Sequence, residues 1–169
     1  MIHAKSVQLV RIAGTDSPRR RLFIIDIENV VGGALNVTRE GARWAREVME
    51  TEMAMGAREH AVLAVTATQG VFPTAEAFPG KSLSVRFGPS GADLALIDSV
   101  DEQHVASRYD DVIIVSGDGI FAGLAARLAG HGVRVIAVGH SAGMSAALRL
   151  AVHQTKYFKS SYESTQRIA

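Results

Sequence analysis

The stretch DVIIVSGDG, residues 111–119, decides how the rest of the chain is read. Val112, Ile113, Ile114 and Val115 are apolar and β-branched, which suits a strand buried on both faces. Ser116, Gly117 and Asp118 follow, and a helical pattern begins after them. A parallel strand ending this way delivers a carboxylate to the carboxyl edge of a sheet, where open α/β sheets bind ligands. LFIIDIEN, residues 22–29, repeats the arrangement with Asp26. Two aspartates carried to one edge by separate strands point to a metal site that works on phosphate.

Outward from these two runs, AVLAVTA (61–67), SLSVRF (82–87) and VRVIAV (133–138) read as further strands. Ala42, Ala45, Val48, Met49 and Met53 recur at helical spacing behind a Thr38 cap, with Gly56 as terminator. Other helices are expected over about 92–107, from Ile120 to Leu128, and over about 142–152. The stretch 68–80, with two prolines and two glycines, reads as loop. Strands alternating with helices predict a three-layer α/β/α fold around a mainly parallel five-stranded sheet. Residues 22–158 form the expected domain, after an extension over 1–21 that holds a candidate edge strand at 5–13. Residues 159–169 read as a polar, frayed tail.

Composition removes several classes. With no cysteine there is no disulfide, thiolate zinc site or cysteine nucleophile. The six histidines form no HxxxH pair. A formal net charge of +1 means that any nucleic-acid contact must come from a local basic patch. No leader-like or membrane-spanning apolar run stands out, so a cytoplasmic protein without a membrane role is expected.

Asp26, Asp93 and Asp118 are the candidate metal ligands and catalytic residues. Clustered carboxylates repel one another, and a divalent cation relieves that repulsion. Mg²⁺ or Mn²⁺ suits an all-oxygen donor set, steadies charge on a transferring phosphorus and activates water. Asn29 and Ser116 could orient water or phosphate beside them. A helix-capping role alone would account for Asp93 and Asp118. It does not account for Asp26, whose place inside an apolar strand is costly without a purpose.

FIIDIEN, GADLALID and VIIVSGDGIF, in that order, resemble the NYN (LabA-like) domain of the PIN-like nucleases, over roughly residues 22–158. The resemblance implies a parallel sheet with helices on both sides and an acidic pocket for Mg²⁺ or Mn²⁺. It implies RNA as substrate and metal-site roles for Asp26, Asp93 and Asp118, with Asn29 and Ser116 beside them. It also places Asp98 in the common pattern, and it admits a homodimer, although no apolar seam demands one. One position departs: the family reads SGDxDF, and Ile120 stands where its second aspartate would be. That removes a ligand or its water partner and favours one metal over two. Glu28 shares parity with Asp26 and is a candidate replacement. A ribonuclease is therefore the first expectation, and an RNA-binding or regulatory module that has lost cleavage is the second.

Arg39 and Arg43, with Arg46, share one helical face near the carboxyl edge and are candidate phosphate contacts. Pairing with Glu47 and Glu50 would make that face an ordinary solvated one. Arg19, Arg20 and Arg21 lie at the far end of the Asp26 strand. GHSAG (139–143) matches the nucleophile elbow of serine hydrolases, which gives a third reading, an esterase using Ser141. Only His153 and then Glu163 follow as partners, so a turn with Ser141 capping the last helix competes with it. His140 could reach phosphate, while His131 ends a helix. Phe72 and Phe78 are candidate base-stacking residues, and Trp44 is expected to pack.

Overall fold

The computed structural model describes residues 18–162. Its strands are β1 (Arg21–Asp26), β2 (His60–Val65), β3 (Ser82–Val85), β4 (Asp111–Val115), β5 (Arg134–Gly139) and β6 (Gln154–Tyr157). They form one six-stranded sheet in the order β3-β2-β1-β4-β5-β6, and every pairing is parallel. This is the doubly wound arrangement, whose strand order reverses between β1 and β4.

The helices are α1 (Ile27–Val30), α2 (Arg39–Thr51), α3 (Val71–Ala77), α4 (Gly91–Asp98), α5 (Glu102–Arg108), α6 (Ala122–Gly130) and α7 (Ala146–Ala151). Period-two alternation sends Phe23, Ile25, Ile113 and Val115 into a core beneath α2. Leu22, Ile24, Val112 and Ile114 go into the opposite core with α4, α5, α6 and α7. Both faces of the central strands are thus covered, as a parallel sheet requires. Thr38 caps α2 through a 3.1 Å bond from the Gly41 amide, and Trp44 packs as expected.

Several expectations are corrected. The sheet has a sixth strand, because Gln154–Tyr157 pairs with β5. Its polar sequence hid it, since an edge strand with exposed faces needs no apolar pattern. The stretch 68–80 is not mainly loop: a 3-10 turn (Thr68–Gly70) leads into α3. The single helix expected over 92–107 is two, because the Asp101 carboxylate caps a new helix by accepting the His104 amide at 2.9 Å. Helix α2 stops at Thr51, short of Gly56. From Phe158 to Tyr162, where the described residues end, the chain packs back on the domain, with Tyr162 buried against Trp44 at 5.6 Å between rings. The candidate strand at 5–13 lies outside the described residues.

Candidate active site

The acidic residues meet at the carboxyl edge where the strand order reverses. Asp26 closes β1 and caps α1, with Oδ1 accepting the Asn29 amide at 3.1 Å. Oδ2 accepts the Ser116 hydroxyl at 2.9 Å, and Ser116 Oγ in turn accepts the Asp118 amide at 3.1 Å. Asn29 Oδ1 accepts the Gly117 amide at 3.2 Å. These bonds tie the end of β1 to the turn after β4. Gly117 is needed there, since a Cβ would stand 2.5 Å from the Gly143 carbonyl oxygen. Asp93 enters from the first turn of α4. A Cβ on Gly91, at the start of that helix, would meet the Arg86 carbonyl at 1.9 Å, so glycine is what lets α4 approach β3.

Asp26, Glu28, Asn29, Asp93 and Asp118 line one open cavity of about 290 Å³, floored by Gly32, Gly33 and Ala34. Among the described residues four carboxylates line it and no basic side chain does. Burial, helped by the charge of Asp93, pushes the Asp26 carboxyl up to about 7 against the hydrogen bonds from Asn29 and Ser116. Burial and the charge of Asp118 raise Asp93 as well, while hydrogen bonding to Asp26 and Ser90 works the other way. The ionisation of each carboxyl therefore works against that of the other.

An all-oxygen donor set with an uncompensated carboxylate pair has the chemistry that Mg²⁺ or Mn²⁺ takes, and such ions need only one or two direct carboxylates. Among the described residues no three such groups converge into a closed cage for an ion. Asp118 already accepts the Ile120 amide through Oδ1 at 2.9 Å. Asp26 and Asp93 are the carboxylates such an ion would meet, with Asp118 lining the same cavity.

Glu28 lines the same cavity, but from the turn α1 rather than from the strand. It accepts the Thr66 amide at 2.6 Å and the Thr66 hydroxyl at 2.7 Å, which anchors it to the end of β2. The Gly32–Ala34 floor was missed in the sequence, where the GG pair was the available signal.

Other candidates lie elsewhere. Asp98 pairs with Arg86 at 2.6 Å on the surface. Arg39 and Arg43 are exposed and reach Glu76 of α3, at 3.1 and 3.7 Å, so the Arg43–Glu47 pairing is replaced. Arg46 pairs with Glu50 as expected. Phe72 is exposed, but Phe78 is buried in the core and offers no stacking face. The His140 Nε2–H donates to the Val30 carbonyl at 2.9 Å and the ring packs on Phe158, so it braces α1. His153 Nδ1 accepts the Val135 amide at 3.1 Å near the amino end of β5, whereas Ser141 follows the carboxyl end. The two cannot form a catalytic dyad, and Glu163 lies outside the described residues. Ser141 sits in its own 3-10 turn, and Ser145, not Ser141, is the N-cap of α7.

A doubly wound parallel sheet with carboxylates gathered at its switch point is the arrangement expected of a PIN-like nuclease domain. The chain belongs to the NYN domain family, which matches residues 24–159. Such domains are generally nucleases and typically use divalent metals. The crystal structure of a protein of unknown function from Vibrio parahaemolyticus RIMD 2210633 shares the fold, with TM-score 0.63 and 19% identity over 86% of this chain and 96% of that one. No curated protein matches the chain. No helix among the described residues is long and apolar enough to cross a membrane.

Proposed function

We propose that this chain is a Mg²⁺- or Mn²⁺-dependent ribonuclease of the cytoplasm, with residues 22–158 as its catalytic unit. The observation that carries the reading is the pair of buried Asp26 and half-buried Asp93 at the switch point, in a cavity lined by four carboxylates and, among the described residues, by no basic side chain. Asp26 and Asp93 would hold the cation, and Asp118 would complete its surroundings. When bound, the cation supplies charge stabilisation for the transferring phosphoryl group and lowers the pKa of water. Ser116 and the Asn29 amide keep both Asp26 oxygens aimed, so the pair meets its ligand without reorganising. Asn29 Nδ2 is left free by the bond at Oδ1 and is the donor for a phosphate oxygen. Arg39 and Arg43 would contact the RNA backbone beyond the cleft if it displaces Glu76.

A second reading is a module that binds RNA without cutting it. It is favoured by Ile120 and by the Asp118 oxygen already committed to the Ile120 amide.

The test is cleavage of labelled single-stranded and structured RNA in Mn²⁺, Mg²⁺ and EDTA, beside Asp26→Asn. Cutting that needs the metal and disappears in the variant is the expected result. An inactive, folded wild type that still binds RNA would replace the first reading with the second.

A further inference from the structure

A second cavity opens at the opposite, amino edge of the sheet, about 17 Å along β1 from Asp26. It encloses about 550 Å³, within the range of small-molecule sites. Arg19, Arg20, Arg21, Arg58 and Arg108 line it. Three of these already have carboxylates: Arg19 holds Asp111 at 2.6 Å, Arg20 holds Asp110 and Arg21 holds Glu59. Among the described residues Arg58 and Arg108 have none, and Arg108 meets only the His104 ring, at 3.3 Å. Both are exposed, so two hydrated guanidiniums face the cavity with charge to spare. The paired arginines are neutralised and fixed by their carboxylates, so the net positive charge of the cavity rests on Arg58 and Arg108.

Pro18, Glu59, which is taken up by Arg21, and the two rings of His60 and Tyr109 complete the wall. The Tyr109 hydroxyl bonds His60 Nδ1, and the rings meet edge to face at 5.7 Å and 76°. A wall of this kind offers a stacking surface to a flat base, and guanidiniums beside it suit a phosphate. Bare phosphate would leave the aromatic wall unused, and an acidic peptide would leave it without a planar partner.

From these features we infer that the amino-edge cavity binds a nucleoside monophosphate, either free or as the terminal nucleotide of an RNA chain. Its phosphate lies on Arg58 and Arg108, and its base lies against Tyr109 and His60. The inference stands whether or not the acidic edge cleaves RNA, because the two cavities share no residue.

The test is calorimetric titration of the full chain, in EDTA so that no cation at the acidic edge contributes. The titrants are AMP, GMP, CMP and UMP, with inorganic phosphate and adenosine as the parts. At least one monophosphate should bind about tenfold or more tightly than either part. Arg58→Ala with Arg108→Ala should weaken it about tenfold or more, and Asp26→Asn should leave it unchanged. Both arginines are exposed, so the double variant keeps its fold, which circular dichroism checks. Tyr109→Leu should bring nucleotide affinity down to that of phosphate. A short RNA with and without a 5′-phosphate distinguishes the two sources: preference for the phosphorylated chain over free nucleotide assigns the site to RNA ends. No binding by any titrant overturns the inference. So do equal affinity for inorganic phosphate, indifference to the arginine pair, and displacement of the nucleotide by an equal concentration of an acidic peptide.

Discussion

Asp26 and Asp111 are both nearly inaccessible, 4% and 2% exposed, and both sit at ends of neighbouring strands, yet their surroundings drive them in opposite directions. Burial acts to raise each. At Asp111, hydrogen bonds from Arg134 and Arg19 outweigh it and bring the carboxyl down to about 2. At Asp26 the nearest charge is another carboxylate, and the group rises to about 7. The amino edge uses its buried aspartate to pin β1, β4 and β5 together through two arginines. The carboxyl edge leaves its aspartate pair without a protein cation, at a cost in stability that a bound ion would offset. One buried aspartate is neutralised by arginines that tie the fold together, and the other has only carboxylates beside it among the charged groups that act on it.

The contrast is most sharply broken by substituting each aspartate in turn. Asp26→Asn should lower metal-dependent cleavage by about a hundredfold or more, while its thermal unfolding at pH 8 occurs no lower than in wild type. Asp111→Asn should do the reverse. It should cost about 1–3 kcal/mol of stability, read by urea unfolding, with cleavage per folded molecule unchanged. Arg19 and Arg134 are half exposed, so their orphaned charges rehydrate and keep the cost at that level.

The same contrast gives a two-limbed pH profile. Native Asp26 binds its proton more tightly than the unfolded chain does, so its contribution to stability falls as pH rises from about 4 to about 7. Asp111 contributes fully above about pH 4 and is lost as pH falls towards 2. Mg²⁺ at ten times its Kd should restore about 1.4 kcal/mol at pH 8, measured as a rise in Tm, and should do nothing for Asp26→Asn.

Only the Asp26 half of this contrast was legible in the sequence, as an expectation with a physical reason, and nothing there marked Asp111. A carboxylate inside FIIDIEN is costly, so its place already marks it as purposeful, and the β-branched runs fix which strands are central. What was not legible depends on partners distant in the chain. Glu28 shares parity with Asp26 in the sequence, but the chain turns into α1 at Ile27, and Thr66 fixes where its carboxylate lies. Asp98 follows the same apolar pattern as Asp93, yet Arg86 takes it to the surface. Phe78 was read as a loop residue able to stack on bases, but it ends the unforeseen helix α3 and is buried. The edge strand β6 has no apolar alternation to betray it.

Two smaller effects sharpen the account of the acidic edge. Ile120→Asp should raise metal-dependent cleavage about fivefold to tenfold if the wild type lacks a ligand at that position, read as initial rate at fixed Mn²⁺. A wild type already fast, with no gain in the variant, would mean that the present donor set suffices. Arg39→Ala with Arg43→Ala should weaken RNA binding only about two- to threefold, because Glu76 already competes for both. The loss should shrink at high salt.

The most direct test is a carbon-13 NMR titration of the Asp26 and Asp111 carboxyl carbons, with and without Mg²⁺. The account predicts that Asp26 titrates near pH 7 without the ion and that Mg²⁺ moves its ionisation to markedly lower pH. Asp111 should stay ionised down to about pH 2 under both conditions. An Asp26 carbon that titrates in the ordinary carboxylate range and ignores Mg²⁺ would contradict it.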